Sequence, residues 1–471
     1  MVSIHSRALA PIETKQDYLM LRFTAALWLI VAFSVVASPA TAEMRQYSPS
    51  SESQIQKRDS STGASSFAGL SINPLTLEAA IILSINNNPL LSAARYRINS
   101  HRAVVRQAKL LPNPELSFDA ENFGGEGQLE GGGLGEFTIG LSQLVELGGK
   151  RTKRTLVANA ELELAISSGN IRKQDVLRST SSRFYQILAD QQRLTVSDSL
   201  FVIAQRFYDS VRERRVAGKV SALEERRANL QLTSARIQRA TALQSLSSSW
   251  IDLRSLWGAY QDSSTVAVGE LEDVMSAPPI DLMIQRLEQH PDIVSSRNNV
   301  ALQRSNFVLE KAQAIPDPTI SIGGRRIREL GATGPTASVS IPLSLFNRNQ
   351  GSVKSADFEI SVAEALLQAK QAELMAHLYY LHSEVDAARA QVLALGNQAL
   401  VDAMENMNAT VAGYKDGKFD LLTVLDAQRV LLNISTQHID ALERYHLSRI
   451  ELESLISATF TTLISGEADN E

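Results

Sequence analysis

A chain of 471 residues could hold two or three ordinary domains, and its formal net charge of −5 comes without any basic block. That balance argues against nucleic acid as a partner. The absence of cysteine excludes disulfides, thiol catalysis and the lipid-anchoring cysteine that some exported proteins carry behind their signal.

The N-terminal segment reads as a targeting signal. From Leu21 to Ala37 a short basic start passes into an apolar run that leads to Ala40, Thr41 and Ala42, the small-x-small pattern of a cleavage site. We expect a signal peptide over 1–42, cleaved after Ala42. The alternative is a membrane anchor, for which the apolar stretch is near the lower limit of length. Glu13 and Asp17 are unusual upstream of a signal, which leaves Met20 as an alternative start. Residues 43–70, rich in Ser with Gln and Lys, have the composition of a disordered leader.

Beyond the leader the chain is a tandem duplication. Apart from Pro49, the prolines of the mature chain fall in two clusters, and each is followed by a long proline-free run. Pro89 recurs as Pro291, Pro112 and Pro114 recur as Pro316 and Pro318, and Gly218 and Lys219 recur as Gly417 and Lys418. A repeat of this length is a duplicated domain half rather than a solenoid module. The first copy is expected over 71–275 and the second over 276–462, with 463–471 an acidic tail. The expected fold is mainly α with a small β part.

In each copy the apolar period changes from 3.6 to 2 just after the Pro-x-Pro. Leu116, Phe118 and Ala120 alternate with polar residues, as do Phe137, Ile139 and Leu141. In the second copy Ile320 and Ile322, then Ala337, Val339, Ile341 and Leu343, do the same. These runs predict hairpins at about 114–147 and 318–345, with strands of the length that crosses an outer membrane at a tilt. The alternative is a small antiparallel patch on a soluble protein.

The proline-free runs predict very long helices, 148–217 and 219–257 in the first copy, 349–416 and 418–460 in the second. Leu177, Phe184, Ile187, Leu194, Phe201, Ala204, Tyr208 and Val211 follow the 3 and 4 steps of a coiled-coil seam. Leu223, Leu230 and Ile237 resume it by sevens after Gly218, so that Gly218 reads as a turn between antiparallel helices. Ala388 to Tyr414 and Leu421 to Leu432 repeat the pattern around Gly417. A helix from Lys150 to Ala217 would be about 100 Å long. Gly169 inside it reads as a kink or a local loop, the kink being the simpler choice.

Four strands pose a closure problem, because a sheet in lipid cannot leave unpaired edges and the smallest membrane barrels have about eight strands. Several subunits must then close one barrel together, and three chains give twelve strands.

The order Asn88-Pro89-Leu90-Leu91, Leu111-Pro112-Asn113-Pro114, hairpin, Leu147-Gly148-Gly149-Lys150-Arg151 and long helix pair resembles the outer membrane efflux protein (TolC) family. In the second copy His290-Pro291-Asp292-Ile293, Pro316-Asp317-Pro318, Ile341-Pro342-Leu343-Ser344-Leu345-Phe346 with Asn347 to Gly351, and Tyr414, Gly417-Lys418 and Leu425-Asp426-Ala427-Gln428 are similar to the same family. Gln143 to Arg151 and Leu345 to Gly351 look most like its branch serving heavy-metal exporters, the CzcC-like members. The resemblance implies a homotrimer in the outer membrane lipid, a twelve-stranded barrel continuous with a periplasmic tunnel. It also implies a periplasmic adaptor protein and an inner membrane RND-type pump as partners, with no catalysis and no cofactor. The family pattern would place Glu224 and Asp426, paired with Arg227 and Thr423, around the periplasmic aperture. It would place the tip turns and adaptor docking at Gly218, Lys219, Tyr414, Gly417 and Lys418.

Other motifs weigh less. Gly148-Gly149-Lys150-Arg151 opens a helix as a phosphate loop does, but Leu144 stands where the first glycine belongs and Arg151 replaces Ser or Thr. His377 and His382 are five apart rather than the four that puts two ligands on one helix face. A drug duct, a non-transporting periplasmic coiled-coil scaffold and a secreted enzyme remain as alternatives to a metal duct. For the enzyme we find no nucleophile, metal or acid/base constellation.

Overall fold

The computed structural model describes residues 74–259 and 266–457. The expected signal peptide, leader and acidic tail lie outside the described residues. Within them the same series of elements occurs twice. The first copy comprises α1 (Leu77–Asn87), α2 (Pro89–Ala108), β1 (Glu115–Glu121), β2 (Glu136–Leu144), α3 (Lys150–Val216) and α4 (Ala222–Ser255). The second comprises α5 (Ile280–Leu287), α6 (Pro291–Gln313), β3 (Thr319–Ile327), β4 (Ala332–Ser340), α7 (Gln350–Ala394), α8 (Leu400–Lys415) and α9 (Leu421–Ile456).

The prolines mark helix starts. Asn88 caps α2 by accepting from the Leu90 amide at 2.8 Å, with Pro89 in the first turn. At the equivalent site His290 accepts from the Asp292 amide through Nδ1 at 3.2 Å, with Pro291 in the first turn. Burial lowers the His290 pKa, which keeps the ring neutral and its lone pair free to accept.

α3 runs through 67 residues without a break, so Gly169 lies inside a helix and not in a loop. Its role is proximity: a Cβ there would stand 3.3 Å from Ile98 of α2. The sequence predicts one helix over 349–416, but the chain contains a π-helical segment, Leu395–Ala399, between α7 and α8. A Cβ on Gly396 would meet the His438 ring at 2.8 Å, so the wider turn and the glycine together make room for that ring.

The main core lies at mid-length and draws on both copies, with Phe184, Ile187, Leu253, Met283, Leu378, Leu381, Leu442 and Leu452 all close to fully buried. A strap between the copies, residues 266–279, crosses this core and is held largely by side chains. Gln191 of α3 bonds both backbone groups of Ala267 at 3.0 Å. From α9, His446 bonds the Leu271 carbonyl at 2.8 Å, His438 meets Glu272 at 3.2 Å, and the Tyr445 hydroxyl serves both backbone groups of Met275. His382 of α7 contacts the Pro278 carbonyl at 3.2 Å, and His377 faces Tyr380. A second core fills the far end of the long helices around Phe207, Val211, Met407, Leu421 and Val424.

One seam faces the other way from the sequence expectation. Leu223, Leu230 and Ile237 are 57%, 69% and 62% exposed, and α4 packs instead through Ala228, Leu232 and Ala235.

Candidate functional site

The four strands form one antiparallel sheet in the order β1-β2-β3-β4, so one edge of β1 and one of β4 are unpaired. The register sorts the side chains by chemistry. Glu115, Ser117, Asp119 and Glu121 stand opposite Ser142, Gly140, Thr138 and Glu136, and these stand opposite Ser321, Gly323, Arg325 and Ile327. β4 completes that face with Gly334, Thr336, Ser338 and Ser340. The other face carries Leu116 and Phe118, then Phe137, Ile139 and Leu141, then Ile320 and Ile322, then Ala337 and Val339. On the polar face Arg325 bonds Thr138 at 3.1 Å and Glu136 at 3.0 Å. Pro335, which cannot donate to a ladder, sits in the edge strand where that loss is tolerated.

The Gly148-Gly149-Lys150-Arg151 cluster is the hinge of sheet and helices. Gly148 and Gly149 have φ of +67° and +68°, and a Cβ on Gly148 would strike Ile315 at 2.7 Å. Lys150 reaches the other copy, bonding Asp317 and the Ile315 carbonyl, both at 2.6 Å. Arg154 pairs with Glu146 at 2.5 Å and bonds the carbonyls of Ala108 and Leu110. The lysine of this loop is thus consumed by structure. At the same point of the second copy the left-handed residue is Asn349, whose amide holds Glu310 at 2.7 Å.

At the far end of the long helices the two turns use one geometry. Gly218 and Gly417 adopt φ of +72° and +76°, and the amides of Lys219 and Lys418 reach back to the carbonyls of Arg214 and Gly413, each at 2.8 Å. This is the left-handed glycine stop of a helix. The next helices start on Ser221 and Asp420, which cap α4 and α9. Two bonds from Thr423 lower the pKa of Asp420.

The turns meet each other. The Arg214 guanidinium donates to the Tyr414 carbonyl at 3.0 Å and lies over the Tyr414 ring at 4.8 Å, while Phe207 packs on the same ring. Arg215 pairs with Glu225 at 2.7 Å. Burial raises the Tyr414 phenol, Glu224 adds to the rise, and the hydroxyl has no hydrogen-bond partner among the described residues.

The expected tip residues Gly218, Lys219, Tyr414, Gly417 and Lys418 are therefore together. Lys418 pairs with Asp416 at 3.3 Å and Lys219 is exposed. The four expected aperture residues are not joined to one another. Glu224 closes a capping box with Ser221, Thr423 bonds Asp420, Asp426 pairs with Arg429 at 2.9 Å, and Arg227 is exposed. Sequence reading missed the caps and the Gly413–Phe419 contact, where a Cβ would meet the ring at 2.3 Å. The offset of 199 between the turns, applied one step further, would have paired Ser221 with Asp420.

A family profile for outer membrane efflux proteins matches residues 80–259 and 282–458. The cobalt-zinc-cadmium resistance protein CzcC of Cupriavidus metallidurans is 30% identical over 383 residues, 81% of this chain and 90% of that protein. The pyoverdine export outer membrane protein OpmQ of Pseudomonas putida is 24% identical over 406 residues, 80% of this chain and 83% of that protein. A solved structure of CusC superposes with a TM-score of 0.70 at 17% identity, covering 81% of this chain and 92% of that one. The chain belongs to the outer membrane efflux protein family, as a channel of the Gram-negative outer membrane with a large periplasmic part and not as an enzyme.

Proposed function

We propose that three copies close one twelve-stranded barrel and form the passive exit duct of a tripartite pump for heavy-metal cations. The observation that carries the duct is the sheet itself, with one polar face, one apolar face and two open edges. An apolar outer face suits lipid, and open edges in lipid require partners. The exposed stripe of Leu223, Leu230 and Ile237 supports the same head-to-tail closure between copies.

Two features support cations as cargo. Glu115, Asp119, Glu121 and Glu136 lie on the face that would line the barrel, against Arg325 as the counter-charge within the strands. Rings of such carboxylates favour cations. The similarity to CzcC, whose name specifies cobalt, zinc and cadmium, points in that direction. The match to a pyoverdine exporter makes an organic cargo the competing outcome.

In this reading the paired turns at Gly218 and Gly417, with Lys219, Tyr414 and Lys418, dock a periplasmic adaptor, through which an inner membrane RND-type pump supplies the energy. Glu224 and Asp426, with Arg227 and Thr423, ring the aperture, and three-fold symmetry triples each charge. Deleting the gene should sensitise cells to zinc, cobalt or cadmium with tolerance to siderophores and drugs unchanged; the reverse pattern would move the cargo to organic molecules. In planar bilayers, Glu224→Ala with Asp426→Ala should alter conductance and weaken cation preference. Unchanged values would remove these two residues from the aperture and leave the duct intact.

A further inference from the structure

The outward face of the sheet is apolar along most of its height and then changes character at one residue. β3 presents Ile320, Ile322, Gly324 and Arg326 on that face, while Arg325 lies on the other and is neutralised by Glu136. Arg326 is exposed, and its guanidinium has no ion pair or hydrogen bond among the described residues. It stands directly opposite Phe137 on β2 and Thr333 on β4, and Phe137 stacks with Phe118 at 6.3 Å. Because β3 is an inner strand of the sheet, closing the free edges of β1 and β4 would not cover this position.

The height of Arg326 can be placed from the strand geometry. Nine-residue strands such as β3 run about 30 Å along the chain, and at a tilt near 40° rise about 23 Å, close to the height of an outer membrane apolar band. Arg326 is one residue from the end of β3, so it lies at the edge of that band. The helices leave the sheet at the opposite end, through Gly148 and Asn349, so the edge with Arg326 is the one remote from the periplasm. The neighbouring Arg328 is occupied differently: its amide donates to the Gly135 carbonyl at 3.0 Å and its side chain packs on Gly132 and Gly135, tying the two hairpin loops together.

We propose that Arg326 binds the phosphate of a phosphorylated glycolipid of the outer leaflet, so that each copy of the barrel carries one lipid-phosphate contact at its outer rim. This rests on the barrel reading above. A guanidinium presents a planar fork that matches two phosphate oxygens, is weakly hydrated and stays charged at the edge of an apolar phase. Its aliphatic stem extends over the apolar wall while its head reaches the polar layer. Phe137 beside it supplies the aromatic surface typical of the interface.

The test uses the full-length protein and vesicles of phosphatidylcholine containing either lipid A with both phosphates or lipid A stripped of them. Wild-type protein should partition into the phosphorylated vesicles about fivefold better. Arg326→Gln should abolish that preference while still inserting into both, and Arg326→Lys should keep part of it, since it retains the charge and loses the fork. The phosphorylated lipid that co-purifies with protein extracted from cells in mild detergent should fall in Arg326→Gln in parallel, which serves as the readout should that variant insert poorly. A preference unchanged in Arg326→Gln, or absent from wild type, overturns the lipid contact and leaves the barrel standing. Failure of wild type to insert into either vesicle overturns both.

Discussion

The returning helices of the two copies, α4 and α9, occupy the same place in the repeat and end in opposite circumstances. α9 buries 17 of its 36 residues, whereas α4 buries 6 of 34 and leaves a heptad-spaced apolar stripe in solvent. Duplication therefore supplied two copies of one hairpin, and the fold uses them differently. α9 is the spine on which the strap and α7 are packed. α4 is an edge, and its apolar stripe has meaning only if something outside the single chain covers it.

The largest effect should come from the spine. Leu442 is fully buried in the mid-length core, so Leu442→Ala should cost about 3 to 4 kcal/mol through lost burial and the cavity left behind. Thermal loss of helical circular dichroism would read it. An equal loss from Leu230→Ala on α4 would contradict the asymmetry.

The next effect depends on pH. His446 is held by burial at a pKa of about 4, against an ordinary value of 6.5, while its Nε2 donates to Leu271 and its ring stacks on Tyr185 at 4.1 Å. Arg449 disfavours the charged ring as well, and Asp273 opposes this. A base whose folded pKa is depressed stabilises the fold above its unfolded pKa. That stability, roughly 3 kcal/mol at full extent, should decline as pH falls from 6.5 to about 4. In His446→Gln the unfolding temperature should depend less on pH across that window. Equal slopes in the two proteins would show that His446 is not the group that titrates.

The smallest effect on the single chain, and the most informative about the edge, should come from α4. Leu230→Glu with Ile237→Glu replaces exposed apolar residues and should leave the helical content of the chain unchanged within about 0.5 kcal/mol per site. The same pair should lower the fraction of trimer in detergent by about tenfold or more, as charge introduced into a buried seam does. An intact trimer would mean that this stripe is not the seam between copies.

Much of this was legible in the sequence, for reasons that differ by element. The helices and the duplication were visible because proline is excluded from helix interiors and glycine marks their ends, so Pro89, Pro291, Gly218 and Gly417 outline the architecture. The strands were visible through alternation, though β4 starts at Ala332, before its apolar residues begin to alternate, and ends at Ser340, so that Ile341 and Leu343 of the expected strand lie beyond it. What was not legible was sidedness. A spacing of seven shows that Leu223, Leu230 and Ile237 share a face but not whether the partner is α3 or another chain. The strap was also hidden, because its anchors are polar side chains of α9 whose partners lie more than 160 residues away, backbone groups for Tyr445 and His446 and the Glu272 carboxylate for His438. The tip residues were recoverable through repeat offset. The roles of Glu224 and Thr423 as capping partners depend on Ser221 and Asp420, which no apolar pattern marks.

The π-helical turn at Leu395–Ala399 has an effect on phase. One residue accommodated there without lengthening the ladder rotates everything beyond it by about 100° relative to an uninterrupted α-helix. The azimuth of α8, and with it the direction in which Tyr414 and its turn are presented, is thereby set separately from that of α7, which is anchored at the sheet. Gly396 and the His438 ring lodged against it act as an indexing stop between a section phased by the barrel and one phased by the tip.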